Sequence, residues 1–311
     1  MDNQVEVTGS CSVEAVRSQG ILVGLAVSAC VLAGCSSDSS VPESPARPSK
    51  APASANYVAL GDSAASGPRI PNQVGAPGCQ QSDANYPHVL AEDLAVGSFD
   101  DVTCSGAVTE NIVSTPQRTS SGEVPLQLDA VTPETDLVTV TIGGNDIGLV
   151  STAVQCLTFA DTSATNVCKD RLTAGGVDTV AAAIADKAPS WGAMLDAVAE
   201  RAPDARILVV GYGTYLPSGG CFPTQPMLPE DADYIQGSIT AMNEALRTQA
   251  NEHGAEFVDT EPSSVGHDVC VAPDQRYFEG VVPQNPAAPL HPTAAGMAAI
   301  ADAVASAVRA G

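Results

Sequence analysis

The chain has 311 residues, with 36 Asp and Glu against 13 Lys and Arg, for a formal net charge of −23. That imbalance excludes nucleic acid as a partner, because phosphate binding needs clustered cations. It also argues against electrostatic adhesion to anionic lipid, and otherwise speaks for solubility.

In chain order, Arg17 precedes an apolar stretch, Ile21 to Ala33, that ends in Leu32-Ala33-Gly34-Cys35. A positive residue, a short apolar core and small residues at its end predict a secretory signal, with residues before Val13 an over-long leader to it. The stretch is too short to read as a membrane span. Its ending resembles a bacterial lipobox, which implies a diacylglycerol on the Cys35 thiol after cleavage. The expected product is an exported cell-surface lipoprotein, attached to the membrane only through Cys35. Residues 36–55 are Ser, Pro, Ala and a few charges, without apolar periodicity. They predict a disordered tether between anchor and domain.

From Asn56 to Gly311 one domain accounts for the pattern. Strand-like runs are Tyr57–Leu60, Asp101–Cys104, Leu137–Ile142, Arg206–Gly211 and Glu256–Asp259. Helical patterns cover Tyr86–Leu94, Val177–Arg201, Tyr234–Glu252 and Thr293–Arg309. Such alternation predicts an α/β fold with a parallel sheet covered by helices on both faces. Two long connections, Val150 to Gly176 and Gly213 to Glu230, carry Cys, Pro and Gly, and loops of that length are often functional.

Three short motifs punctuate these elements. Gly61-Asp62-Ser63 ends the first apolar run in a tight turn that lifts a hydroxyl off the strand end. Gly143-Gly144-Asn145-Asp146 follows the third run, where glycines let backbone approach a ligand and the Asn145 amide can donate to a developing oxyanion. His291-Pro292 precedes the last helix. Gly106, in Cys104-Ser105-Gly106-Ala107, offers one more backbone donor after the second run. A serine is a poor nucleophile unless a base takes its proton. Among His88, His253, His267 and His291, the last is the base expected for Ser63, with His267 in reserve. Open α/β sheets bind ligands at the carboxyl ends of their strands, so these motifs can share one crevice. Together they predict ester hydrolysis.

Six cysteines lie in the domain, an even number that implies disulfides in an exported chain. Fifteen pairings are possible; the sequential one, Cys79–Cys104, Cys156–Cys168 and Cys221–Cys270, closes the shortest loops and is expected. A metal site would need closer ligand spacing, such as Cys-x-x-Cys, so neither a metal nor an organic cofactor is expected.

These residues carry a family resemblance. Ser in Gly-Asp-Ser, an isolated Gly, Asn in Gly-x-Asn-Asp and a late His before a helix resemble the SGNH, or GDSL, hydrolases. Tyr57 to Ser63, Thr103 to Ala107 and Thr141 to Gly148 look most like the secreted actinobacterial lipase and esterase branch, as does the six-cysteine layout. The resemblance implies a flavodoxin-like three-layer α/β/α sandwich on a five-stranded parallel sheet. It also implies Ser63 as nucleophile, His291 as base, and an oxyanion hole of Ser63, Gly106 and Asn145.

One position departs from the family pattern. Where an Asp commonly stands three residues before the histidine, this chain has Ala288. Its main-chain carbonyl is therefore expected to orient the imidazole, giving a Ser–His dyad with a backbone helper, and Asp268 and Asp259 are only remote substitutes. The expected substrate is a small-molecule or lipid ester met by a monomer. An acyltransferase or carbohydrate deacetylase could use the same residues, and a non-enzymatic surface lipoprotein is a third reading. An aromatic content of 4% leaves few rings to stack on sugars and favours a lipid-like or simple ester.

Overall fold

Alternation within Tyr57-Val58-Ala59-Leu60 sends successive side chains to opposite faces of a strand, and all four are buried. A strand buried on both faces belongs inside a covered parallel sheet. The computed structural model, which describes residues 54–159 and 167–311, has that sheet. Its strands are β1 (Asn56–Gly61), β2 (Ser98–Asp101), β3 (Leu137–Thr141), β4 (Arg206–Val210) and β5 (Glu256–Val258). All four pairings are parallel, in the order β2-β1-β3-β4-β5. This is the flavodoxin-like order, whose switch point lies between β1 and β3.

The principal helices are α1 (Ser63–Ser66), α2 (Tyr86–Leu94), α3 (Thr109–Val113), α4 (Leu149–Gln155), α5 (Thr179–Arg201), α6 (Pro229–Glu252) and α7 (Ala294–Ala310). Val58, Leu60, Val138 and Val140 pack with Trp191 and Leu195 of α5 and Ile239 and Met242 of α6. Tyr57, Ala59, Leu208 and Val210 face the other way, onto Leu90 of α2 and Met297 and Val304 of α7. The result is an α/β/α sandwich of three layers.

Local chemistry sets the helix starts. Asn85 caps α2, Asp178 caps α5 and Thr293 caps α7, each through a side-chain oxygen accepting from first-turn N–H groups. Helix α6 begins at Pro229, five residues before the expected Tyr234, because proline suits a first helical turn and its neighbour Asp231 is buried. The Asp231 carboxylate accepts from the Cys168 and Lys169 N–H groups. The second strand also differs from expectation. Asp101–Cys104 runs beside β1, with the Val102 and Cys104 N–H groups donating to the Ala59 and Gly61 carbonyls. The regular strand lies earlier, at Ser98–Asp101; as a half-exposed edge strand it carries no apolar run to read.

The expected export signal over 1–35, with Cys35, lies outside the described residues, as does the tether over 36–55 apart from its last two residues. Of those two, Ser54 is exposed and Ala55 is buried, its carbonyl accepting from the Gly97 and Ser98 N–H groups.

Three disulfides join Cys79 to Cys104, Cys156 to Cys168 and Cys221 to Cys270. The first straps the Gly106 turn, whose Ser105 N–H also donates to the Cys79 carbonyl. Replacing both Cys79 and Cys104 by Ala should lower unfolding stability by about 2–5 kcal/mol. A urea unfolding curve that matches the parent's would refute this.

Candidate active site

Strands β1 and β3 leave the sheet side by side, so the turns that follow them are neighbours. Gly61 has φ +150°, and a Cβ there would meet the Thr141 carbonyl oxygen at 2.6 Å. No other residue fits such an approach without strain. The Gln127 amide closes on the same peptide groups, accepting from the Gly61 N–H at 2.7 Å and donating to its carbonyl at 2.9 Å. Asp62 then caps α1, its Oδ1 accepting from the Ala64 N–H at 2.8 Å. Ser63 is thus held at the first position of a single buried helical turn.

His291 reaches it from the far end of the chain, with Nε2 2.8 Å from Ser63 Oγ. Its Nδ1 lies 2.6 Å from the Pro289 carbonyl oxygen. A carbonyl can only accept, so Nδ1 carries the proton and the neutral ring presents Nε2 as acceptor to the Ser63 hydroxyl. Burial pushes the His291 pKa below its ordinary value; the bond to Pro289 opposes that shift, and the positive charge of Arg69 adds to it.

The orienting carbonyl expected at Ala288 is a correction. The Ala288 carbonyl accepts instead from the His291 backbone N–H at 3.3 Å, closing a turn over Pro289 and Leu290. Leu290 has φ +60°, and proline followed by a positive φ is the pattern of a type II turn. The bond that closes the turn occupies the Ala288 oxygen, and the middle peptide supplies the Pro289 oxygen to the ring.

The remaining candidates separate cleanly. Asp259 pairs with Arg247 at 2.8 Å, and Asp268 accepts from the Cys270 N–H at 2.8 Å. His267 Nδ1 bonds the Gln275 carbonyl, and its ring stacks on Tyr277. His88 and His253 sit beside Asn85 and Asp196. None of these is a partner of Ser63 or His291.

On the other side of Ser63 stand Asn145 and Gly106. Asn145 Nδ2 donates to the Ala107 carbonyl at 2.9 Å, which ties the two turns together and leaves the second amide hydrogen available. Gly106 has φ +83°, and an added Cβ would have only Gln117 Nε2 near it, at 3.7 Å. The requirement for glycine is therefore conformational, with open space beside it. Among the described residues, neither the Ser63 nor the Gly106 N–H finds an acceptor.

Tyr212 and Trp191 carried no sequence signal, and they tie the motifs together. The Tyr212 hydroxyl donates to Asp62 Oδ2 at 2.7 Å and accepts from the Gly144 N–H at 3.1 Å, linking the serine and asparagine turns. Burial pushes the Asp62 carboxyl up to about 7, against the hydrogen bonds from Tyr212 and Ala64, with the Asp146 charge adding to the rise. Asp146 accepts from the Thr109 N–H and hydroxyl and from Trp191 Nε1. It thereby anchors α3, which follows the Gly106 turn, to the Asn145 turn and to α5. Among the described residues no cluster of His, Cys, Asp or Glu is arranged to hold a metal ion.

Beyond Ser63 opens a pocket of about 70 Å³. Its polar end holds Asp62, Ser63, Asn145, Tyr212 and His291. Its apolar lining includes Leu149, Ala153, Leu157, Leu216, Met227, Ile235, Ile239, Val269 and Leu290.

The model of the GDSL-like lipase/acylhydrolase family matches residues 59–299. Lipase 2 of Streptomyces coelicolor is 36% identical over 261 residues, which is 81% of this chain and 85% of that protein. The crystal structure of phospholipase A1 from Streptomyces albidoflavus NA297 aligns with a TM-score of 0.68 and 26% identity, over 81% of this chain and 99% of that one. The extracellular lipase of Streptomyces rimosus gives a TM-score of 0.68 and 27% identity, over 82% and 100% of the two chains. The chain belongs to the GDSL-like lipase/acylhydrolase family, in its actinobacterial lipase branch, and is a carboxylic ester hydrolase.

Proposed function

We propose that the chain is an exported esterase or lipase that cleaves esters of apolar acyl chains through an acyl-enzyme on Ser63. The observation that carries this is the 2.8 Å contact between Ser63 Oγ and His291 Nε2 at the polar end of an apolar pocket. Ser63 Oγ attacks the ester carbonyl carbon as its proton passes to His291 Nε2. The carbonyl oxygen gains negative charge within reach of the Ser63 N–H, the Gly106 N–H and the free hydrogen of Asn145 Nδ2, donors fixed in advance by the fold. When the intermediate collapses, the alcohol leaves with the proton from His291, and the acyl group stays on Ser63. Water then attacks the acyl carbon as its proton passes to His291, and His291 returns that proton to Ser63 Oγ as the carboxylic acid leaves. The Pro289 carbonyl holds the ring in the required tautomer and brings no full negative charge to the imidazolium.

The hydrophobic walls favour an acyl chain over a sugar, so a lipid ester is the preferred substrate class over an acetylated glycan. The disulfides fit an oxidising compartment outside the cytosol. Attachment through a lipid on Cys35 rests on the Leu32-Ala33-Gly34-Cys35 sequence alone.

Ser63→Ala should abolish cleavage of a chromogenic ester and labelling by a fluorophosphonate probe. Activity within about tenfold of the parent would sink the nucleophile assignment.

His291→Ala should be nearly inactive, whereas Asp259→Asn and Asp268→Asn should keep most activity. Loss of a triad carboxylate in a serine protease costs about ten-thousandfold, so a collapse in Asp268→Asn with an intact circular dichroism spectrum would refute the backbone-helper mechanism.

The pH dependence has a definite sign. A lowered pKa keeps His291 neutral, and competent as a base, below the ordinary imidazole value of 6.5. The acid limb of kcat/KM should therefore be centred below pH 6.5. A limb centred at about 7 would assign control to the Asp62 carboxyl instead.

A further inference from the structure

Three charge-free stretches of chain supply most of the pocket lining. No Asp, Glu, Lys or Arg occurs between Asp146 and Asp161, between Arg206 and Glu230, or between Glu279 and Asp302. In a chain that is 16% charged, three such stretches meeting at one pocket form an uncharged collar on an otherwise acidic protein. Asp62, the one charged residue type lining the pocket, is buried.

Large apolar side chains stand exposed on this collar. Helix α4 turns Leu149 and Ala153 into the pocket, while Val150 and Val154, the next residue in each case, face outward. Val150 is at the pocket rim, and Val154 lies one turn along the same stripe. Phe159, two residues past the pocket residue Leu157, is 80% exposed, and Val282, next to the pocket residue Val281, is 71% exposed. Single exposed apolar residues need no explanation. Four of them stand at, or within two residues along the chain of, positions that line one apolar pocket, and they give that pocket an apolar rim.

We propose that this collar is a docking face for the surface of an uncharged or zwitterionic lipid aggregate, from which the ester enters the pocket. The proposal rests on the reading of the chain as a hydrolase of apolar acyl esters. The choice of partner follows from charge. A net charge of −23 opposes approach to an anionic surface, and no Lys or Arg lines the pocket; Arg69, whose charge acts on His291, stands outside that lining. Apolar side chains entering the headgroup boundary gain free energy in proportion to the area they bury. The walls of the pocket continue that apolar surface inward, so an acyl chain passes from aggregate to Ser63 with little exposure to water.

Insertion is measured at the collar itself, so that an anchor elsewhere in the chain does not contribute. The chain has one tryptophan, Trp191, which is fully buried and gives a constant background. In the full chain carrying Ser63→Ala, a Phe159→Trp probe should shift to the blue on phosphatidylcholine vesicles and be quenched by acyl-brominated phosphatidylcholine. A Val265→Trp probe, at an exposed valine that does not line the pocket, should do neither. Adding phosphatidylglycerol to the vesicles should weaken the response at residue 159. With Ser63 intact, the double variant Phe159→Asp, Val282→Asp should lose about tenfold or more on a dispersed long-chain ester, yet match the parent on a soluble short-chain ester. A residue-159 probe that stays unquenched on phosphatidylcholine, or that responds only to phosphatidylglycerol, would overturn the docking face. Insertion by a chain whose Ser63-intact form cleaves no ester would refute the hydrolase reading and leave the docking face standing.

Discussion

The close approach of β1 and β3 at Gly61 is the constraint on which the site depends. With a carbonyl oxygen 2.6 Å from where a side chain would begin, the two strands end together and their turns emerge as neighbours at the switch point of the sheet. Gln127 grips both polar groups of the Gly61 peptide from outside the sheet. A buried backbone polar group left unpaired costs about as much as a lost hydrogen bond. That clamp therefore keeps the approach from fraying next to Ser63.

From this point the polar interior spreads in two branches. Asp62, Tyr212 and the Gly144 N–H join the serine turn to the asparagine turn. Asp146 joins the asparagine turn to α3 and Trp191, and Asn145 bonds the carbonyl next to Gly106. Buried networks of this kind hold one geometry when every member is satisfied. Their cost is visible in the Asp62 carboxyl, pushed up to about 7 by its burial. Hydrogen bonds from Tyr212 and the Ala64 N–H, which also position the site, oppose that rise.

The histidine arrives by a different device. Its loop is fastened by backbone bonds, with the Glu279 N–H donating to the His291 carbonyl and the Leu290 N–H to the Glu279 carbonyl. The buried Glu279 carboxylate accepts from the Gln284 and Asn285 N–H groups. A loop held this firmly can orient an imidazole with a main-chain carbonyl, since the ring's position is already set before any charge forms on it. The uncharged stretch from Gly280 onward then serves two ends, as the support of His291 and as part of the collar around the pocket.

The sequence by itself determined the covered parallel sheet and marked the candidate residues that the fold then brings together, Ser63, Asn145 and His291. Tyr57–Leu60, Leu137–Ile142 and Arg206–Gly211 are apolar runs that only a covered parallel sheet can bury, and Gly-Asp-Ser, Gly-Gly-Asn-Asp and His-Pro stand at the ends of such elements. These signals are local: hydrophobic period, turn residues and caps are fixed by neighbours a few positions apart. The half-exposed edge strand Ser98–Asp101 left no such period, and its start was misplaced by three residues. Tertiary structure alone decided the rest. Gln127, Tyr212 and Trp191 act through partners tens of residues away, and nothing in their surroundings along the chain marks them; Asp146 stands in a motif, but its partners Thr109 and Trp191 cannot be read from that motif. The choice of the Pro289 oxygen over that of Ala288 turned on the positive φ of Leu290, a residue type that seldom adopts it. Residue type and spacing specify which groups can react, whereas the oxygen that faces an imidazole is set by backbone torsions that only the packed chain fixes.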